Sequence, residues 1–519
     1  MDISFDYFDY IVLGTYILVL LIIGFFMNKK GPAGEDIFLG GRSLKWWQIG
    51  FSMFSANAGP MMLIGFAGIG FSHGMVGANF EWLAWIFLLM LSVIFLPYYL
   101  KSGISTIPQF LLIRFGKRSY TFLIAYSLVS VLVVWLGSAL YAGGLLISSI
   151  FGVSIYLPII IIAAIATSFT ATGGLKAVVR TSIFQSLIII VSSVFLVFLG
   201  LKEIGGLDAF IAKTPKNYWK LFLPSDNVEY SWIAIVLGYP VAAIYYWCAD
   251  QTIVQKVLAA QDLKQGQYGT VFIAVLKIIM PVIFIIPGIM CYVLFRESAR
   301  ADNAYIVMVT KLMPHGLLGL AVAALIAALI DTVSSSLNSF CTVFTLDLVP
   351  LFKEQDKAQQ IRMGKWITVG AAVFGVLVAI GFANSGKNFF ELTQGLVSIF
   401  APPLSVVFLA GISWKRINAI SVESVLYGGG TLCTIIGACN VFNYPYEGFW
   451  PHFLMLSFYL FLFLGIVIVL ITLFSAKKED KLTDRTMILS ELRLHKNKNL
   501  RVVWGLLAVI MVLLYVFFN

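Results

Sequence analysis

Long apolar stretches recur along this whole chain, and few structures are compatible with them. Each stretch is near 20 residues, enough to cross about 30 Å of hydrocarbon as an α-helix. Backbone groups in lipid must be satisfied within the segment, and the short alternating segments of a membrane barrel are not seen. We therefore expect an all-α integral membrane protein with about fourteen transmembrane helices, near residues 9–27, 47–72, 77–100, 119–150, 155–172, 183–201, 230–256, 268–295, 315–346, 365–384, 390–412, 418–441, 450–475 and 501–518.

The composition agrees with a protein surrounded by lipid. Hydrophobic residues make up 60% of the chain and charged residues 12%, about half the charged share of a soluble domain. The net charge of +10 comes from basic residues in short loops between apolar spans, so we expect no nucleic-acid partner. The five cysteines show no metal-ligand spacing.

The distribution of basic residues predicts the orientation. Of the 35 Lys and Arg residues, 26 lie in the alternate connections 28–46, 101–118, 173–182, 256–267, 347–365, 413–417 and 476–501. The opposite connections carry 8, and Lys277 lies within a span. Since cytoplasmic loops are enriched in Lys and Arg, we expect a multi-pass protein of the cell (inner) membrane with both termini outside the cytoplasm. Acidic residues before the first span and Lys29 and Lys30 after it reverse the charge order of a secretory signal.

Two spans contain helix-breaking residues. The second carries Ser55–Pro60 and the seventh carries Gly238–Pro240. Proline and glycine free backbone groups from the helix, and each interruption opens a set of five spans. This arrangement indicates two inverted repeats around a binding site near the membrane midplane, although simple proline kinks are the alternative. The predicted parts are an extra helix and loop (1–46), a transport core (47–412, with repeats 47–201 and 230–412) and three C-terminal helices (413–519).

Three ionisable residues lie inside apolar spans, namely Glu81, Lys277 and Asp331. Each costs roughly 2.5–3.5 kcal/mol at a helix centre, so such residues face a cavity or one another. A structural ion pair between Glu81 and Lys277 is one reading. A cavity with mixed donors and acceptors for a polar, uncharged solute is the other.

A second cluster has the oxygen donors that a small cation prefers. Ala328, Asp331 and Thr332 are spaced i, i+3, i+4 and share one helical face. The side-chain oxygens of Asp331 and Thr332 and the Ala328 carbonyl suit a hard cation, and backbone freed near Ser55 and Ala58 could complete the shell. For Thr332, a hydroxyl bonded to its own helical turn is the alternative.

From about residue 9 to 475, the chain resembles the sodium/solute symporter family, within it the sodium–glucose cotransporter branch in its bacterial form. The resemblance depends on the order and spacing of several motifs: Phe38–Ser43 with Trp46 and Trp47, Thr106–Phe110 with Arg114–Gly116, Thr172–Val178, Tyr246–Gln251 with Val254 and Gln255, Leu337–Ser339 with Thr342, Phe344, Thr345 and Asp347, Pro402–Pro403, and Trp414–Arg416.

The resemblance implies a five-plus-five inverted-repeat core with two discontinuous helices, and a co-transported Na⁺. Carried over by position, the solute site would comprise Asn57, Glu81, Tyr246, Trp247, Lys277 and Gln394. Tyr246 would also be the inner gate. The sodium site would comprise Ser55, Ala58, Ala328, Asp331 and Thr332.

Four positions depart from the branch pattern. Met62 and Ala243 stand where polar side chains are usual, which suggests a less hydroxylated face on the solute. Ser182 stands where the glycine signature normally continues to aspartate, and Asp331 stands where serine is usual. A carboxylate has moved from one helix to another along the expected ion route.

We therefore predict a secondary active symporter that couples sodium influx to uptake of a sugar or polyol-like solute by alternating access. One alternative is a proton-coupled symporter of the same fold in which Asp331 carries the proton. The other is a non-transporting solute sensor. An enzyme is not expected, because the four histidines lie apart in the sequence.

Overall fold

The computed structural model describes residues 5–26, 38–59, 61–353, 356–384, 389–441, 444–446, 448–475 and 498–518. Across these ranges the regular structure is helical, with isolated bridges but no named strand. The α-helices, α1 to α22 in chain order, are Tyr7–Phe26, Trp46–Asn57, Ala67–His73, Ala78–Trp82, Ala84–Met90, Leu96–Lys101, Ile107–Phe115, Lys117–Ser130, Ser138–Phe151, Tyr156–Ile204, Leu207–Lys213, Trp232–Ile244, Gln251–Leu258, Leu263–Phe295, Ala304–Leu312, Leu317–Val343, Lys357–Ala383, Phe389–Ser413, Ala419–Glu423, Gly430–Val441, Phe453–Phe474 and Lys498–Phe517. Short π-helical segments extend several of them at Met61–Phe66, Leu91–Phe95, Val131–Gly137, Tyr245–Ala249, Phe344–Leu348 and Ser424–Gly429.

The all-α membrane class is confirmed. Within the described residues, eleven helical stretches are long and apolar enough to cross a membrane by length and composition. Two shorter apolar helices, Tyr7–Leu20 and Tyr156–Ser168, accompany them. The predicted number of about fourteen crossings stays a prediction.

The first interruption lies where the sequence predicted it. Helix α2 ends at Asn57, and Ala58 leaves helical geometry with a ψ of 39°. The chain becomes helical again at Met61. Backbone N–H and C=O groups of this short unwound segment are free from helical hydrogen bonds, so they are available to a bound ligand or a neighbouring helix.

The second interruption was predicted at the wrong place. Helix α12 runs through Gly238 and Pro240 without a break, and the π-helical turn Tyr245–Ala249 continues it. The break comes at Asp250, whose ψ is 126°, and α13 begins directly after it. Membrane helices tolerate proline where neighbours compensate for the lost backbone bond. The Asp250 carboxylate caps the new helix by accepting a hydrogen bond from the backbone N–H of Thr252 at 2.8 Å.

Gly238 is needed for packing rather than for a break. A Cβ built on this residue would lie 2.4 Å from the Leu454 carbonyl oxygen. Helices α12 and α21 therefore approach closely at this point. Gly174 is different, because its φ of 56° and ψ of −155° turn α10 and divide it into two segments, as the sequence predicted.

Helix α16 is a buried central element. Every residue from Ala321 to Val343 is buried, and the helix contacts α1, α2, α10 and α17. Alanine and serine dominate this stretch, and small side chains allow membrane helices to approach closely. Asp331 lies in the middle of this buried run.

Candidate solute and cation site

A cavity lies beside the unwound end of α2 and the π-helical turn after α12. Its volume is about 130 Å³, and it is open on one side. Its aromatic and polar lining consists of Asn57, Phe66, Phe80, Glu81, Trp135, Ser138, Tyr239, Tyr246, Trp247, Thr332, Phe453 and Ser457. Aliphatic and small side chains complete it, including Met62, Val134, Ala139, Ala242, Ala243, Val397 and Leu454.

Lys277 is buried behind the cavity wall and is held by three groups. Its Nζ lies 2.5 Å from Glu81 Oε2, also donates to Asn57 Oδ1, and sits 4.7 Å from the centre of the Trp247 ring. A lysine at this depth requires partners, and a carboxylate, an amide oxygen and an aromatic face supply them. The structure thus contains the Glu81–Lys277 ion pair, which the sequence analysis gave as one of two alternatives. Glu81 also lines the cavity, so the pair forms part of the cavity wall.

Tyr246 and its aromatic neighbours form one side of the cavity. The Tyr246 ring lies 4.7 Å from Trp247 and 5.3 Å from Trp135, and its hydroxyl accepts a hydrogen bond from Asn57 Nδ2 at 3.2 Å. With the break predicted at Gly238–Pro240, Tyr246 would follow the break in the chain. It lies instead four residues before the break at Asp250. Its ring therefore extends from the unbroken part of the helix.

The predicted cation residues meet where α2 ends against α16. Ser182 donates a hydrogen bond to Asp331 Oδ1 at 2.5 Å, while Asp331 Oδ2 and the Ser55 hydroxyl are buried without a hydrogen-bond partner among the described residues. Ser55 is nevertheless close enough to the Asp331 carboxylate to interact with it electrostatically. Two buried oxygen atoms without a hydrogen-bond partner in one site are ligands of the kind that a small cation prefers.

Thr332 connects the cation residues with the cavity. Its hydroxyl donates to the Ala328 carbonyl at 3.0 Å, which is the local bond proposed as the alternative. A Cβ built on Gly59 would lie 2.4 Å from the Thr332 hydroxyl oxygen, so the unwound segment lies directly against α16. Gly59 and Thr332 both line the cavity. A change at the cation residues can therefore reach the solute cavity through direct contacts.

Gln394 belongs to α18, but its side chain lies outside the described part of the structure. The structure therefore brings together Asn57, Glu81, Tyr246, Trp247 and Lys277 without Gln394. Of the Lys-rich connection 476–501, only residues 498–501 belong to the described part of the structure.

The sequence analysis missed two residues of the site, Trp135 and Ser457. Trp135 lines the cavity and donates its Nε1–H to Asp250 Oδ2 at 2.8 Å. Ser457 lines the cavity from α21, which the sequence assigned to the helices after the core, and its hydroxyl has no partner within the described residues. The one sequence signal near these residues is Asp250, inside the Tyr246–Gln251 motif, because a buried carboxylate needs a hydrogen-bond donor such as Trp135.

His452 directly precedes Phe453, which lines the cavity. The ring of His452 packs 5.2 Å from Tyr230. Burial, and to a smaller extent the charge of nearby His73, lowers the pKa of His452 to about 4. The imidazole is therefore neutral at physiological pH.

Two interrupted helices beside a cavity lined by aromatic and a few polar side chains, in a multi-pass membrane protein, are typical of a secondary transporter. The family model "Sodium:solute symporter family" matches residues 37–423, and the chain belongs to this family. Its function is sodium-coupled symport of a solute, and Na⁺ is the co-transported ion. The predicted family and the transporter class are confirmed.

Curated relatives and solved structures agree with this assignment. A sodium/glucose cotransporter of Vibrio parahaemolyticus is 32% identical over 79% of this chain and 81% of its own length. A sodium/myo-inositol cotransporter of Canis lupus familiaris is 30% identical over 83% of this chain and 66% of its own length. A Na⁺-coupled sialic acid symporter shares the fold with a TM-score of 0.80 at 21% identity, over 91% of this chain and 99% of that one. Mhp1, a nucleobase-cation-symport-1 family transporter, has a TM-score of 0.55 at 15% identity, over 85% and 93% of the two chains.

Proposed function

We propose that this symporter takes up a sugar or polyol-like solute, and that the solute binds in the cavity beside Asn57, Glu81, Tyr246 and Trp247. The observation that carries the proposal is the neutralised ion pair in the cavity wall. Lys277 balances the charge of Glu81, so the wall offers hydrogen-bond acceptors and donors without net charge. Such a surface favours an uncharged, hydroxylated solute over an ion.

The aromatic side of the cavity supports the same class of solute. A sugar or cyclitol ring has C–H faces that pack on aromatic rings and hydroxyl edges that hydrogen-bond, and Tyr246 and Trp247 lie next to the polar Asn57. The relatives named for glucose and myo-inositol cotransport support this choice. Gln394 remains a proposed solute residue on positional resemblance alone.

For the cation we propose the face between α2 and α16. Asp331 Oδ2 and the Ser55 hydroxyl would supply side-chain oxygens, and the backbone carbonyls of Ala58 and Ala328 with Thr332 would complete the shell. Sodium held there would fix the unwound end of α2 against α16 and so complete the solute cavity next to it. One cation falling through ~100 mV supplies about 2.3 kcal/mol, and a tenfold gradient adds about 1.4 kcal/mol.

The remaining assignments follow the same scheme. Tyr246 would close the cavity toward the cytoplasm, and the two repeats 47–201 and 230–412 would move against each other during alternating access. The excess of basic residues in alternate connections supports external termini in the cell (inner) membrane.

Uptake into proteoliposomes tests the proposal. Glucose, galactose and myo-inositol would be offered under an inward sodium gradient and, separately, under an inward proton gradient. We expect sodium-driven accumulation of at least one of them, with weaker solute affinity in Glu81→Gln. The exposed Glu229 provides the matched control, because Glu229→Gln should leave uptake unchanged.

Accumulation driven only by the proton gradient would contradict the proposed sodium site and would indicate that Asp331 carries a proton instead. Absence of accumulation for all three solutes would reject the sugar and polyol class.

A further inference from the structure

Lys256 is a fully buried lysine that the solute and cation sites do not use. Its side chain is among the largest buried ones in the described structure, with less than 2% exposed. Its ammonium donates to the Thr252 carbonyl at 2.9 Å and, at a long 3.4 Å, to the Ser335 hydroxyl. Neither partner is charged. A buried ammonium normally requires a carboxylate, so this arrangement is incomplete.

Two carboxylates act electrostatically on Lys256, and only one of them is already satisfied. Asp250 accepts hydrogen bonds from Trp135 and Tyr245 at 2.8 and 3.0 Å on Oδ2 and from a backbone N–H at 2.8 Å on Oδ1. Asp331 accepts one bond on Oδ1, and its Oδ2 is unpartnered within the described residues. Asp250 therefore has hydrogen-bond partners on both carboxylate oxygens, whereas Asp331, among the residues that the structure describes, has a partner on Oδ1 alone.

The geometry leaves a short path between Lys256 and Asp331. Ser335 follows Asp331 by four residues on α16, so the two lie on one face about one helical turn, ~5.4 Å, apart. In the described structure the two charged groups form no direct ion pair. The four-carbon stem of a lysine allows its ammonium to move by about this distance through rotamer changes alone.

We propose that Lys256 is a tethered cation that takes the place of sodium at Asp331 when the symporter is empty. In the sodium-loaded state, the ammonium would stay at Ser335. After sodium leaves, it would move one turn along α16 and pair with Asp331 Oδ2. This proposal rests on the sodium site proposed above, and it adds a residue of α13 that acts on that site.

The physical reason is the cost of the return step. A symporter must return without its cargo, and an unpaired carboxylate at membrane depth makes that step expensive. A lysine that pairs with Asp331 only after sodium has left removes this cost. It also makes Lys256 a competitor of sodium, and this competition is measurable.

The test is the sodium dependence of thermal unfolding of the purified full-length protein in detergent, with choline replacing sodium at constant ionic strength. No solute is needed. Lys256→Met removes the competing charge and should tighten the apparent sodium dissociation constant about tenfold. Lys256→Arg keeps the charge and can pair with a carboxylate in bidentate fashion, so it should weaken sodium binding. Lys264→Met, at an exposed lysine at the start of α14, is the matched control and should change nothing.

A double-mutant cycle separates this proposal from the sodium site. In an Asp331→Ser background, Lys256→Met should no longer change the sodium dependence. If Asp331→Ser alone leaves sodium stabilisation intact, the cation site is wrong. If Asp331→Ser abolishes it but Lys256→Met leaves sodium affinity unchanged or weaker, Lys256 is only a packing residue. Should the methionine variant not fold, an arginine variant with unchanged or tighter sodium affinity would overturn the proposal.

Discussion

Substitutions of Lys277 and Glu81 should have strongly non-additive effects on the free energy of unfolding, because the two side chains form a buried ion pair. Lys277→Met would leave Glu81 buried without its partner, and Glu81→Gln would leave the ammonium with only Asn57 and the Trp247 ring. Removing one partner of a buried pair costs about 3–5 kcal/mol, because a charge remains in a medium of low polarity. Removing both charges avoids that cost. The double variant should therefore be more stable than the sum of the single effects predicts.

The size of the coupling follows from the distance. At 2.5 Å and an effective dielectric constant of about 20, two unit charges attract by ~7 kcal/mol. Desolvation costs several kcal/mol for each ion and cancels much of this attraction. The pair thus adds little net stability, while the coupling energy between the two positions should be at least about 3 kcal/mol.

Equilibrium unfolding in mixed micelles, followed by tryptophan fluorescence, measures this coupling in a double-mutant cycle. A control cycle would pair Lys277→Met with Glu229→Gln, whose carboxylate lies in a partly exposed pair with His73. We expect additive effects in the control cycle. Additive effects in the Lys277–Glu81 cycle as well would refute the argument that each charge needs the other.

Four further outcomes are expected. Asp331→Ser should weaken sodium-driven uptake, and adding Ser182→Asp should restore part of it, because the two side chains touch at 2.5 Å. Tyr246→Ala should impair solute accumulation in proteoliposomes while solute binding in detergent survives. Gly238→Ala should destabilise the protein by about 1–3 kcal/mol in thermal or chemical unfolding, because its Cβ would overlap a backbone carbonyl of α21. Since the pKa of His452 is about 4 in the folded protein and about 6.5 in the unfolded chain, stability should fall as the pH drops through this window, by up to ~1.4 kcal/mol per unit, and His452→Phe should remove this dependence.

Each of these outcomes has a control. In the Asp331→Ser background, Ser186→Asp places a carboxylate one turn from Ser182 and should not restore uptake. Tyr246→Phe removes only the hydrogen bond from Asn57, and accumulation at the level of the alanine variant would show that the hydroxyl, not the ring, matters. Gly465→Ala, on α21 with open space around it, should not destabilise the protein. An unchanged pH slope in His452→Phe would rule out that histidine.

The sequence predicted features that depend on local chemistry. Apolar length and hydrogen bonding within a segment define membrane helices, so the all-α class required no tertiary information. The break beside Ser55 also followed from the residues at that place. The break in the other repeat did not, because Pro240 is tolerated inside α12 and the chain opens at Asp250, where a carboxylate caps the next helix.

From the sequence alone, Glu81, Lys277 and Asp331 had to have partners, because the cost of burying a charge does not depend on which fold surrounds it. Only the tertiary structure shows which residues those partners are. Lys277 meets Glu81 across 196 residues of chain, and Asp331 meets Ser182 across 149. Such contacts depend on the packing of distant helices, for which the sequence carries no local signal. Lys256 shows the same limit, because its position in the sequence suggested a cytoplasmic loop, whereas the fold buries it beside Ser335, which lies one turn from Asp331 along α16.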